Sequence, residues 1–506
     1  MSTPASPSPH SPGAPASSGA NGTPAATPGT RATDTPTVDT AGAPDRSTAD
    51  SGGLGHGLKT RHLTMMGLGS AIGAGLFLGT GVGIRAAGPA VLLSYVVAGI
   101  LVIFVMRMLG EMAAARPASG SFATYGRQAF GHWAGFSMGW LYWFMLIMVM
   151  GAEITGAGNI MGRWFGVEGW IPGLVAVVFF TIVNLAAVRG FGEFEYWFAF
   201  IKIAVIVAFL LIAAGLLLGL FPNYSSPGLS NFHPFAPKGL SGIATGLLAV
   251  AFAFGGIEII TIAAAESEHP SESITTAVRA VVWRISVFYL GAVFFIAALL
   301  PFETLGKAES AAESPFTRVL QLANVPGVVM GMEIIIVLAL LSAFNAQIYA
   351  TSRLTYSFAK TGYAPKIFRR VNSQQVPVYA VLGSLVFAFL SVALQVWGPA
   401  NLITILFNAV GGTLLLIWAV ITLSAIRLRP HLVAEGSLKV RMWGYPWLPW
   451  ITLAMIGGLA ALMLWDPEAR MQVVTVAVVA VVLSAIGVVV GNRKGVGEDA
   501  TLGARV

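Results

Sequence analysis

The chain contains no cysteine in 506 residues. That excludes disulfides, cysteine-ligated zinc, iron–sulfur clusters and thiol catalysis. It is also poor in charge. Asp, Glu, Lys and Arg make up only 10% of it, against about 25% in a soluble domain. So little polar surface cannot cover a globule of this length, which excludes an ordinary water-soluble enzyme. Histidine is scarce where chemistry would need it. All seven (His10, His56, His62, His132, His233, His269 and His431) fall in the N-terminal segment, in loops or at the edges of apolar runs. Neither His-Glu-x-x-His nor Gly-x4-Gly-Lys-Ser/Thr occurs, so the zinc-hydrolase and P-loop signatures are both missing. No metal and no cofactor is expected.

What is present is overwhelmingly apolar: 56% hydrophobic residues and a mean hydropathy of +0.77. Residues 1–57 stand apart. Nine prolines precede Asp45, and no Leu, Ile or Phe comes before Leu54. Such a segment buries too little apolar surface to offset its chain entropy, so a disordered cytoplasmic tail is expected. It lacks the basic start and apolar core of a signal peptide. A bilayer core of ~30 Å needs about 20 mostly apolar residues per helix. Twelve such stretches follow, near 63–84, 89–113, 133–163, 170–188, 196–220, 240–264, 276–300, 327–358, 378–396, 400–426, 447–464 and 471–490. They make residues 58–492 one twelve-helix membrane domain, followed by a short cytoplasmic tail at 493–506. Strict apolar–polar alternation is absent, which argues against a β-barrel.

The basic residues orient this weave. With the N-terminus cytoplasmic, 22 of the 29 Lys and Arg fall on the cytoplasmic side, six outside and one, Lys202, within a span. This is the bias of a multi-pass plasma-membrane protein with both termini inside. The net charge of +7 is thereby read as basic cytoplasmic loops rather than as a nucleic-acid surface.

Two spans are interrupted by glycine. The first reads Gly67-Leu-Gly-Ser-Ala-Ile-Gly-Ala-Gly-Leu-Phe-Leu-Gly79, the sixth Ala251-Phe-Ala-Phe-Gly-Gly-Ile-Glu258. Glycine costs about 1 kcal/mol against alanine inside a helix. Unwound backbone at membrane depth is tolerated only inside protein or along a cavity. Spans one and six lie five apart, the spacing of two inverted five-helix repeats that each contribute a broken helix. The expected repeats run over about 62–220 and 239–427, with two extra helices at about 447–490. A half-helix starting at mid-membrane offers N–H groups to a carboxylate, and one ending there offers carbonyls to an ammonium. Gly73, Ala74 and Gly75 are the expected donors; Ile72, Phe252, Ala253 and Gly255 are the expected acceptors. Close packing through small helix faces is the alternative for any single glycine pair. Clusters in two corresponding spans favour a site for a zwitterion.

Several further motifs carry a resemblance. They are Leu58-Lys-Thr-Arg-His-Leu-Thr-Met with the glycine-rich span, Gly110-Glu-Met, Ser119-Gly-Ser-Phe and Gly192-Glu-Phe-Glu-Tyr-Trp-Phe-Ala with Ile201-Lys. Phe254-Gly-Gly-Ile-Glu, Ala264-Ala-Glu-Ser and the stretch from Asn345 to Ser352-Arg with Ala359-Lys-x-Gly complete the set. From about Leu58 to Asn492 the chain resembles a bacterial amino acid permease of the amino acid–polyamine–organocation superfamily, in its amino acid transporter family. Glu258-Ile-Ile-Thr-Ile-Ala-Ala-Ala-Glu-Ser, Ala434-Glu-Gly-Ser and Arg441-Met-Trp-x-Tyr-Pro-Trp-Leu are similar to the γ-aminobutyrate (GABA) permease subgroup. The resemblance implies a leucine-transporter-like fold with discontinuous helices 1 and 6 and proton-coupled uptake of an amino acid such as GABA.

A charge within a span costs at least ~2.5 kcal/mol on insertion scales, and three stand out. Glu258 follows the second break, and a carboxyl there is placed to titrate with substrate binding. Lys202 could snorkel to the interface. The resemblance instead implies that it fills the place taken by sodium in related sodium-coupled transporters. Glu153 is expected at the extracellular entrance or on the substrate amine, with an interhelical hydrogen bond as the alternative. Ser342 and Asn345 of the eighth span are expected to line the cavity. The expected partners are an amino acid, protons and the bilayer. An exchanger is the alternative within the same class, and a channel from another. A channel would need a continuous pore lined by rings of carbonyls or charges.

Overall fold

The computed structural model describes residues 72–118, 121–186, 191–222, 224–255, 272, 276, 284–304, 314–399, 402–465 and 467–493. Among them the regular structure is entirely helical. A π-helical turn, Gly75–Gly79, leads into α1 (Thr80–Ala87). There follow α2 (Val91–Ala115), α3 (Ser121–Phe130), α4 (His132–Phe165), α5 (Trp170–Ala186), α6 (Phe191–Leu217) and α7 (Gly239–Ala253). A second π-helical turn, Arg284–Tyr289, opens into α8 (Leu290–Leu299). The remaining helices are α9 (Pro315–Leu322), α10 (Val328–Thr361), α11 (Val378–Trp397), α12 (Leu402–Ala434), α13 (Trp447–Trp465) and α14 (Pro467–Arg493).

Eight helical runs among the described residues are long and apolar enough to cross a bilayer. The run Gly75–Ala115 covers the described parts of the first two expected spans, because α1 and α2 are joined only by a tight turn at Gly88–Ala90. Gly88 holds φ +63°, a conformation that side-chain-bearing residues rarely adopt, and Pro89 starts the next turn with its ring. Two further apolar helices are shorter, Trp170–Leu185 and Val287–Leu299. The expected sixth span is described only as far as Gly255. The N-terminal tail and residues 494–506 lie outside the described residues.

The helix α4 is the spine. It packs most extensively on α10 and also on α12, α3 and α14. Small residues let it do so. Gly139 sits under the ring of Phe358, and Gly135 faces Tyr363 Oη, where a Cβ would collide in both cases. Both long helices are bounded by glycines of positive φ: Gly131 and Gly166 for α4, Gly327 and Gly362 for α10. Apolar side chains on the outside follow what lipid requires. On α5, Val175, Phe179 and Ile182 are 65%, 55% and 62% exposed. In water that would be an aggregation surface; against acyl chains it is the matching one.

At the C-terminal end of α2 lies a buried polar knot. Glu111 pairs with Arg429 at 3.0 Å and accepts the Met442 N–H. Arg429 in turn stacks over the Tyr445 ring at 4.1 Å, and Arg107 over Trp443 at 4.7 Å. One carboxylate thus ties α2 to α12 and to the segment that enters α13.

Candidate functional site

The described part of the first apolar stretch opens on two residues outside any helix. Ile72 and Gly73 are non-helical and buried, and the helix begins at Ala74. The π-helical turn that follows loosens the usual carbonyl pairing. Side-chain hydroxyls satisfy its carbonyls: Ser314 Oγ donates to Phe77 O at 2.7 Å, and Thr80 Oγ1 to Leu76 O at 2.6 Å. The seventh helix behaves conversely. Phe252 and Ala253 are its last two residues, and Phe254 and Gly255 form a turn inside the apolar stretch. The structure packs α1 and α7 against each other at glycine distance. A Cβ on Gly242 would lie 2.7 Å from the Ala86 carbonyl oxygen, and one on Gly246 would lie 3.0 Å from Ala87 Cβ.

One of the expected donors is already taken. The Ala74 N–H donates to the Glu153 carboxylate, at 3.2 Å to Oε1 and 3.1 Å to Oε2. Glu153 comes from the middle of α4 and reaches this point because Gly73 has no side chain; a Cβ there would overlap Oε1. Glu153 is 3% exposed and Lys202, on α6, 1% exposed. The two attract one another electrostatically across the site. Lys202 is therefore held inside and does not snorkel outward, and Glu153 belongs to the break in the first span. Two ionisable side chains that are far apart in the chain are thus both buried, and one of them reaches the non-helical backbone at Gly73.

One of the expected acceptors is also engaged. Tyr289 Oη donates to the Ala253 carbonyl at 3.0 Å. Its ring stacks on Phe254 at 5.1 Å, and Tyr95 meets Phe254 edge-on at 6.2 Å. Tyr95 Oη shares a 3.0 Å hydrogen bond with Thr80 Oγ1. A fully buried aromatic trio thus links the start of α1 at Thr80 to the end of α7 at Ala253. Sequence reasoning missed Tyr95 and Tyr289. No spacing links positions 95, 254 and 289, and tyrosine in an apolar run carries no local mark of function. Ser342 is buried on α10. Asn345 Oδ1 accepts from Asn184 Nδ2 of α5 at 2.8 Å, a clasp between two helices. Glu258 lies outside the described residues.

Residues 62–495 match the family described as amino acid permease. The chain is 66% identical, over 84% of its length and 93% of the relative's, to the aromatic amino acid transport protein AroP of Corynebacterium glutamicum. It is 40% identical to the γ-aminobutyric acid permease of Escherichia coli K12, over 85% of this chain and 92% of that one. Against the AroP of the same Escherichia coli strain it is 33% identical, over 85% and 94%. The match covers all the described helices, and eight of the runs are fit to cross a bilayer. The chain belongs to the amino acid permease family and is a multi-pass membrane transporter, not an enzyme.

Proposed function

We propose that the protein is a proton-coupled amino acid symporter working by alternating access. Twelve spans in two inverted five-helix repeats, with helices 1 and 6 discontinuous, form its leucine-transporter-like core within residues 58–492. Both termini are cytoplasmic. The substrate lies between the start of helix at Ala74 and the end of helix at Ala253. Its carboxylate is directed to the Gly73–Gly75 amides, and its ammonium to the carbonyls of Ile72, Phe252, Ala253 and Gly255. Glu258 and Lys202 couple this binding to a proton; Ser342 and Asn345 support the cavity wall. The carrying observation is the non-helical backbone at Ile72 and Gly73 and the turn at Phe254 and Gly255, on helices that pack on one another at Gly242 and Gly246. Free backbone groups at such depth need a polar ligand or a polar neighbour.

The first reading of the substrate is an aromatic amino acid. The 66% identity to a transporter named for that class supports it. The 40% identity to a GABA permease favours GABA as the second. Uptake into sodium-free proteoliposomes decides between them, using labelled phenylalanine, tyrosine, tryptophan and GABA. The expected result is saturable phenylalanine uptake accelerated by an inward proton gradient, with the acceleration lost in Glu258→Gln. Uptake that ignores the gradient and requires an internal amino acid makes the protein an exchanger.

A further inference from the structure

The position of Glu153 goes beyond this reading while resting on it. A backbone N–H at the start of a buried helix suits a carboxylate, and here a carboxylate is already seated. Both Glu153 oxygens lie within 3.2 Å of the Ala74 nitrogen. The fit is built rather than incidental. Only glycine at position 73 leaves room for it, and Lys202 supplies a buried countercharge from a third element. One N–H cannot serve two carboxylates, and two unshielded carboxylates sharing one site repel strongly.

We propose that Glu153 is an internal stand-in for the substrate carboxylate, which an incoming amino acid displaces from Ala74. Displaced, the side chain keeps its attraction to Lys202 and stays inside the protein. The empty transporter is thereby spared an unsatisfied buried amide. The cost is paid in affinity, because every substrate molecule competes with a tethered rival.

Equilibrium binding to the purified full-length chain in lipid nanodiscs tests this. The probes are labelled phenylalanine and GABA and, as a competitor, 2-phenylethylamine, which keeps the ring and amine but lacks the carboxylate. Glu153→Gln removes the charge. Glu153→Asp keeps the charge opposite Lys202 but is one methylene too short to reach Ala74, and it covers the case in which the amide variant does not fold. The expected result is about fivefold or more tighter phenylalanine binding in both variants, with 2-phenylethylamine unmoved. Unchanged or weaker phenylalanine binding in a folded variant overturns the proposal, and so does equal tightening of both ligands. If the unaltered chain binds neither phenylalanine nor GABA, the transport reading itself fails, which is a separate outcome.

Discussion

Tyr289 shows how a single hydroxyl serves a helix end. The α7 helix ends at Ala253, and the last carbonyls of a helix have no partner within it. Tyr289 caps one of them, and its ring packs on Phe254 in the same turn. Replacing it by phenylalanine keeps the ring and removes only the donor. Tyr289→Phe is expected to cost about 1–3 kcal/mol, the penalty of an unpaired buried carbonyl. The midpoint of thermal unfolding in detergent measures it, and an unshifted midpoint would mean that another donor takes over. The same scale separates what the residues announce from what they do. Glu153 and Lys202 announce themselves, because charge within an apolar run demands a reason. That they share one site with Ala74 is written nowhere in their spacing.

At the scale of elements, α1 and α7 approach one another backbone to backbone. Alanine is the smallest possible perturbation there, yet Gly242→Ala brings a Cβ to 2.7 Å from the backbone oxygen of Ala86. Backbone cannot swing aside as a side chain can. The two helices are expected to separate and uptake to fall at least about tenfold, since small shifts at a site cost that much or more. Uptake per folded molecule, normalised by gel filtration, checks it; unaltered uptake would show the contact to be slack. The α2 end obeys a different rule. Glu111 is 2% exposed and serves Arg429 and the Met442 N–H together. Removing one partner strands the other in a dry place. Glu111→Ala is therefore expected to destabilise by about 3–5 kcal/mol. Chemical unfolding of the detergent-solubilised protein reads this, and a loss below 1 kcal/mol would place the knot in contact with water.

For the whole molecule, the prediction concerns which side each loop faces. The absence of cysteine turns this into a direct experiment, because a single introduced thiol is unique. Ser230 lies in the exposed segment between α6 and α7, and Ser373 in that between α10 and α11. With both termini inside and twelve spans, Ser230→Cys is labelled by an impermeant maleimide from outside intact cells. Ser373→Cys is labelled only after the membrane is opened. Labelling of both from the same side would break the twelve-span weave. The basic residues Lys366, Arg369 and Arg370 beside Ser373 are the reason to expect that loop inside.

The sequence by itself determined that this is a helical membrane protein with glycine breaks in two apolar stretches. Hydropathy over 20 residues and the helix cost of glycine are local quantities, and lipid enforces them everywhere along the chain. Family motifs added the expectation of amino acid transport. Only the tertiary structure decided that the Ala74 amide is already held by Glu153, that Ala253 is capped by Tyr289 and that Asn345 is clasped by Asn184. Each of these joins residues at least 36 positions apart. Which distant helix comes to lie beside a break is set by the packing of side-chain shapes. Local composition does not encode that choice, because in lipid one apolar face is as soluble as another.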